Sequence, residues 1–122
     1  MIKAMLWVTL GGGLGALARF LISTWLFAPG RFPWATLVIN IAGSFAIGVL
    51  WGLGQQQPWF EQWGRYLLVV GVLGGFTTFS AFSLETTALL ESGRHWQALG
   101  YALASVGLCV LMALLGQRLT DN

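Results

Sequence analysis

The sequence predicts an all-α membrane protein of four transmembrane helices. Of its 122 residues, 57% are hydrophobic and only 8% are charged, whereas a soluble domain carries about 25% charged residues. So few charges cannot cover the surface of a soluble globule, and most of this chain must therefore face lipid. The 17 Gly and 7 Trp agree with this prediction, because membrane helices use Gly more often than soluble helices and place Trp at the interface.

Four apolar stretches are long enough to cross a bilayer, whose hydrocarbon core of ~30 Å needs about 20 helical residues. They cover residues 5–27, 34–54, 66–90 and 96–119. Loops rich in Pro, Gly and Gln separate these stretches, and the predicted ends carry an aromatic belt. The belt consists of Trp34, Trp59, Trp63 and Trp96. We expect the four spans to form a single transmembrane domain.

The flanking charges give the helices little preference for one orientation. Four spans place both termini on one side, which carries Lys3, Arg65 and Arg118, while the other side carries Arg31 and Arg94. The positive-inside rule needs an excess of Lys and Arg on one side, and this distribution is almost balanced. The chain therefore either inserts both ways, which permits an antiparallel homodimer, or has a weak bias that suffices. Basic residues scattered one by one do not predict nucleic-acid binding.

The second predicted helix carries an amide near its middle. Asn40 has donors and an acceptor to satisfy, and Ser44 at i+4 extends a narrow polar face. A polar side chain at membrane depth is a functional hypothesis by default. Asn also serves as a hydrogen-bonding contact between membrane helices. Both interpretations of Asn40 stay open from the residues alone.

The third predicted helix contains the run GGFTTFSAFS at residues 74–83. Paired Gly followed by paired Thr weakens a helix, so we expect the third helix to be broken at mid-membrane. Backbone freed there can present carbonyl oxygens to a cation such as sodium. Phe79 and Phe82 share a face, and the positive edge of a phenyl ring can favour an anion. The alternative is an intact helix with two core Phe side chains.

Other polar groups allow two interpretations each. Tyr101, Ser105 and Cys109 follow at i, i+4 and i+8, so this stripe either carries a partly hydrated ion or satisfies its own helix. Arg19 either snorkels to the interface or places a positive charge near a pore mouth. Glu85 either pairs with a basic group or lines a vestibule.

The sequence contains no nucleophile paired with a base and no ATP motif, so it predicts neither an enzyme nor ATP-driven transport.

Three motifs in succession resemble those of the Fluc (CrcB) fluoride channels. They are GGGLGALARF at residues 11–20, TLVINIAGSF at residues 36–45 and GGFTTFSAFS at residues 74–83. The resemblance extends over the whole chain in length, number of spans and order of motifs. It implies an antiparallel dual-topology homodimer in the lipid of the cell inner membrane. Such a dimer passively exports fluoride through two parallel pores and lowers the cytoplasmic fluoride concentration.

The resemblance also implies roles for individual residues. The implied fluoride pathway comprises Asn40, Phe79, Phe82, Ser80, Tyr101, Ser105 and Arg19. Gly74 and Thr77 would give backbone carbonyls to a structural sodium ion at the dimer axis. Two positions depart from the family pattern, because Ala81 replaces the usual Thr and Cys109 stands where a hydroxyl is common.

A small four-helix proton-coupled multidrug antiporter is the alternative function. Such an antiporter needs a carboxylate within the membrane, usually in the first helix. The first helix of this chain offers Arg19 and no acid, so Glu85 is the only candidate. A third alternative is a non-transporting membrane subunit, for which faces of small residues that let helices approach closely would suffice.

Overall fold

The computed structural model describes residues 1–26 and 29–121, and every regular element within them is helical. In chain order these elements are α1 (Ile2–Leu26), α2 (Trp34–Gly54), a π-helix (Phe60–Leu73), α3 (Gly74–Phe76), α4 (Phe79–Glu91) and α5 (His95–Thr120). The π-helix, α3 and α4 form one interrupted span. The described residues thus contain 4 helical regions that are long and apolar enough to cross a membrane, which confirms the predicted architecture.

Three of the four helical regions extend beyond the predicted spans, whereas α2 has the predicted bounds. The first begins at Ile2 rather than at residue 5, and its predicted end at Phe27 lies outside the described residues. The third begins at Phe60 rather than at residue 66, so Glu61 and Arg65 lie within a helix instead of a loop. Both of these charged residues are exposed. A span predicted from apolar residues ends where charged residues begin, although the helix itself continues past them.

Two glycines of α1 let the π-helix lie directly against it. Gly11 and Gly15 are the buried residues of α1. A Cβ atom on Gly15 would overlap the carbonyl oxygen of Val72 and lie 2.8 Å from the amide nitrogen of Phe76. A Cβ atom on Gly11 would lie 2.9 Å from the Cα atom of Gly71. Small residues four apart thus bring two backbones together, as is common between membrane helices.

The third span is broken between α3 and α4. Thr77 (φ −83°, ψ 154°) and Thr78 (φ −149°, ψ 121°) have extended backbone, which interrupts the helical hydrogen bonds. The Thr78 hydroxyl then accepts a hydrogen bond of 3.1 Å from the amide of Ala81 and caps α4. The predicted break is confirmed, and it falls on the paired Thr rather than on the paired Gly.

The second closely packed pair of helices, after α1 and the π-helix, consists of α2 and α5, which lie side by side. Their close approach also depends on glycine, because a Cβ atom on Gly48 would overlap the carbonyl oxygen of Ala113 and one on Gly116 would overlap that of Phe45. The buried hydrophobic cluster is small and consists of Leu37, Leu89, Ala98 and Tyr101. Most apolar side chains are therefore left to face lipid or another subunit.

We expect Gly15→Ala to destabilise the protein strongly, because the added methyl meets backbone atoms that cannot rotate away. Overpacking of this kind costs about 1–3 kcal/mol or more. Gly13→Ala is the matched control, since a Cβ atom there has nothing within 4 Å. Both variants are compared by the fraction that stays monodisperse in detergent after heating. Equal thermal resistance of the two variants would contradict the proposed packing of α1 against the π-helix.

Candidate functional site

A groove with a volume of about 430 Å³ lies beside the break in the third span. Its walls come from α2, the π-helix, α4 and α5, and the broken backbone itself forms part of the lining. Six polar residues and two aromatic residues reach it: Asn40, Ser44, Thr77, Thr78, Ser105, Cys109, Phe79 and Phe82. The structure thus brings together predicted site residues from three separate spans, which makes this groove the candidate site.

Asn40 on α2 holds the broken backbone in place. Its Nδ2 atom donates to the carbonyl of Thr78 at 3.0 Å, and its Oδ1 atom accepts from the amide of Thr78 at 2.9 Å. One side-chain amide therefore satisfies both backbone groups of an extended residue. Asn40 thus joins α2 to the third span by hydrogen bonds, as one of its two interpretations required. It also lines the groove. The two interpretations of this residue are compatible.

The Phe79 and Phe82 rings form an aromatic row with Tyr101. The ring centroids of Phe79 and Phe82 lie 5.3 Å apart, and those of Phe82 and Tyr101 lie 5.0 Å apart, at interplanar angles of 48° and 54°. Tilted rings present edges as well as faces to their surroundings. Phe79 is 77% exposed, so its ring is not part of the core of this chain.

Ser105 and Cys109 line the groove from α5. The Ser105 hydroxyl is buried and has no hydrogen-bond partner among the residues that the structure describes. An unpaired buried hydroxyl is unfavourable by about 1–3 kcal/mol. Cys109 is partly buried.

Three of the predicted pathway residues lie outside the lining of the groove within the described part of the chain. The guanidinium of Arg19 donates from Nε to the carbonyl of Gly75 at 3.1 Å, so it contacts the interrupted span from the α1 side. Ser80 is exposed at the start of α4, with its hydroxyl 3.2 Å from that of Thr78. Tyr101 is fully buried and hydrogen-bonded to Glu85.

Glu85 is the centre of a hydrogen-bonded group that we did not predict. Thr36 donates to its Oε1 atom and Tyr101 donates to its Oε2 atom, both at 2.6 Å. Both carboxylate oxygens therefore accept hydrogen bonds from hydroxyls. Glu85 also lines a second cavity of about 260 Å³, together with Arg31 and Arg94. A carboxylate in a membrane span needs hydrogen-bond partners. The sequence contains both of these hydroxyls, but no pattern in it indicated that they converge on Glu85.

The two residues predicted to bind sodium lie at the break. Both Gly74 and Thr77 line the groove. In an uninterrupted helix the amide of Thr78 would donate to the carbonyl of Gly74, but here it donates to Asn40. The carbonyl of Gly74 thereby loses its helical donor, and Thr77 leaves the helix with an extended backbone. Oxygen donors of this kind fit a hard cation such as sodium.

Comparison with known proteins identifies the family. Residues 6–117 match the family model described as CrcB-like protein, Camphor Resistance (CrcB). The chain is 50% identical to Fluoride-specific ion channel FluC 2 of Nocardia farcinica, over 92% of this chain and 81% of that protein. It is 50% identical to Fluoride-specific ion channel FluC of Magnetococcus marinus, over 90% of this chain and 91% of that protein. Its identity to Fluoride-specific ion channel FluC of Thermus thermophilus is 45%, over 97% and 94% of the two chains. The chain therefore belongs to the CrcB family.

Proposed function

We propose that this multi-pass membrane protein is a fluoride-specific ion channel that exports fluoride passively. The observation that carries the proposal is the groove beside the break, which is lined by an amide side chain, a serine and two aromatic rings. Relatives named as fluoride-specific ion channels at 50% identity support the same function. The function is conduction of an ion and not catalysis of a reaction.

The groove offers the groups that a dehydrated fluoride ion requires. A selective pore replaces the water around an ion, yet binds it loosely enough for release. The Asn40 side chain has two N–H groups, of which one bonds the carbonyl of Thr78, so the second is left for an anion. Ser105 also lines the groove and carries a hydroxyl donor. The edges of the Phe79 and Phe82 rings supply positive electrostatic potential between these donors.

The membrane potential is sufficient to drive export. An inside-negative potential moves an anion outward with about 2.3 kcal/mol per charge per 100 mV. A passive pore in the cell inner membrane thus lowers cytoplasmic fluoride without ATP.

The groove is completed by a second copy of the chain in the opposite orientation. Phe79 is 77% exposed and Gly74 is also exposed. A single chain therefore leaves the groove uncovered on the side of the break. The nearly balanced flanking charges permit insertion in both orientations. An antiparallel homodimer would cover these groups and form two grooves, and lipid would surround the remaining apolar faces.

A structural sodium ion at the axis of this dimer would be held by the carbonyl oxygens of Gly74 and Thr77. The diversion of the Thr78 amide to Asn40 supports this assignment, because it frees the Gly74 carbonyl. Two carbonyls from each of two subunits would give the ion four oxygen ligands. When bound, sodium supplies a positive charge that offsets the cost of an anion within the membrane.

The proton-coupled antiporter is less well supported. Its only candidate proton carrier, Glu85, accepts hydrogen bonds from Thr36 and Tyr101 at both oxygens. Both oxygens are thus held by hydrogen bonds within the chain, and Glu85 lies outside the lining of the groove among the described residues.

We expect Phe82→Ile to depress fluoride flux by about tenfold or more, which corresponds to a barrier raised by about 1.4 kcal/mol. Ile keeps the apolar bulk and removes the positive ring edge, and Phe79→Ile should act in the same way. Fluoride efflux from reconstituted vesicles is the measurement, and wild-type efflux itself tests the proposed function. Phe20→Ile is the matched control, because Phe20 is exposed on α1 away from the groove. Normal flux in both groove variants, with the fold intact, would exclude the ring-edge mechanism.

We expect Asn40→Asp to block fluoride flux. A carboxylate at this position removes the donor to the carbonyl of Thr78 and places negative charge beside the path of an anion. The same efflux assay measures the effect, and Gln97→Glu serves as the control because it adds the same charge at an exposed position near the start of α5. Substantial fluoride flux through Asn40→Asp would show that the anion does not pass this amide.

The proposed dual topology predicts that reporters fused to the C-terminus are active on both sides of the membrane. The reason is the distribution of Lys3, Arg65 and Arg118 against Arg31 and Arg94, which gives almost no excess on either side. Adding two Lys residues to one loop should restore a single orientation. Activity on one side only for the unmodified chain would contradict the antiparallel homodimer.

A further inference from the structure

The second cavity, of about 260 Å³, lies apart from the groove, beside the connections that precede α2 and α5. Arg31 of the first connection and Ser92 and Arg94 of the second form part of its walls. The cavity reaches inward to Glu85, whereas α4 ends at Glu91, about 9 Å further along the helix axis. It therefore extends from the connections into the membrane-spanning part of the bundle.

The second cavity has a surplus of positive charge. Among the described residues that line it are two guanidinium groups, those of Arg31 and Arg94, and one carboxyl group, that of Glu85. Both oxygens of this carboxyl group accept hydrogen bonds from hydroxyls of the chain. Nη1 of Arg94 donates to the carbonyl of Gly30 at 2.6 Å, a bond that uses one of the five donors of a guanidinium. The cavity thus offers further donors, and a net positive charge, to an anion.

Exposed tryptophans place the second cavity at the depth of the lipid headgroups. Trp34 begins α2 and Trp96 is the second residue of α5, at the same end of the bundle as the cavity. Their side chains are 60% and 84% exposed, and Trp at the ends of membrane helices lies at the interface between lipid and water. Only residues 92–94 separate α4 from α5. The mouth of the cavity is therefore within reach of the headgroups of surrounding lipids.

We propose that the second cavity binds the phosphate group of an anionic phospholipid, with the guanidinium groups of Arg31 and Arg94 as donors. The planar fork of an arginine matches the oxygen atoms of a phosphate in pairs. Basic pockets between membrane helices bind anionic headgroups in the same way. A zwitterionic lipid carries a cationic amine beside its phosphate, so the net positive charge of the cavity favours an anionic lipid.

A bound phosphate would join the two connections of the bundle. Arg31 precedes α2 and Arg94 precedes α5, and the bond from Arg94 to the carbonyl of Gly30 already brings the two connections into contact. A ligand that binds only the folded form stabilises it, and the gain grows with the ligand concentration relative to its Kd. We therefore expect anionic lipid to raise the thermal stability of the protein. This effect does not require fluoride conduction, so it separates the lipid site from the proposed function.

The test titrates the purified full chain in a nonionic detergent with phosphatidylglycerol, phosphatidylcholine or inorganic phosphate. Native mass spectrometry counts the lipids bound per chain, and the fraction that stays monodisperse after heating gives the apparent affinity. The substituted forms are Arg31→Gln combined with Arg94→Gln, Arg31→Gln alone, and Arg65→Gln combined with Arg118→Gln as the control. The control removes equal charge from exposed positions at the opposite end of the bundle. All forms are isolated by size in the same oligomeric state, because flanking charges influence orientation.

We expect the unmodified protein to bind a single phosphatidylglycerol per chain, and to be stabilised far less by phosphatidylcholine or inorganic phosphate. Loss of both arginines of the cavity should weaken the binding of phosphatidylglycerol by about tenfold or more, since charge-assisted hydrogen bonds are lost. Loss of Arg31 alone should weaken it by about threefold or more, and the control should bind as the unmodified protein does.

Equal affinity of the double variant and the control for phosphatidylglycerol would overturn the proposal. Equal stabilisation by phosphatidylcholine would overturn the preference for anionic lipid, and equal stabilisation by inorganic phosphate would show a site for free anions instead of a lipid. If the double variant does not fold, Arg31→Gln alone decides by the same comparison with the control.

Discussion

The pair of hydrogen bonds between Asn40 and Thr78 is the constraint on which the rest of the structure depends. An extended residue within a membrane span leaves its amide and carbonyl without helical partners, and each unsatisfied group is unfavourable by several kcal/mol in lipid. Asn40 satisfies both groups of Thr78 at once. The break is therefore stable, the carbonyl of Gly74 is released, and α4 begins at Phe79 with both aromatic rings at the groove.

Two sets of backbone contacts keep the groove in shape around this break. α1 approaches the π-helix through Gly11 and Gly15, and α2 approaches α5 through Gly48 and Gly116. In lipid there is no hydrophobic force between helices, so close packing of this kind supplies much of the association. The rigid walls explain how a chain with so small a buried cluster can hold a defined polar groove.

Glu85 adds a third connection, at the loop end of the bundle. Its carboxylate on α4 receives hydroxyl donors from Thr36 on α2 and Tyr101 on α5, and so joins three helices at one point. Tyr101 in turn packs its ring against Phe82, with centroids 5.0 Å apart. The Phe82 ring at the groove thus packs against Tyr101, and the hydrogen bond to Glu85 fixes the orientation of Tyr101. Within this chain Tyr101 therefore positions Phe82, and its place in the polar track, which the family resemblance implies, stays a prediction.

The sequence by itself determined the membrane class, the four spans, the break near the run at residues 74–83 and the family, because composition, apolar length and local helix weakness are all properties of neighbouring residues. Only the tertiary structure decided which side chains meet. The pairing of Asn40 with Thr78 joins residues 38 apart in the chain, and the bond between Thr36 and Glu85 joins residues 49 apart. Periodicity shows that each of these residues lies on a helix face, but the partner of that face depends on how the helices cross. The crossings are set by backbone contacts at glycines, whose partners no local pattern specifies.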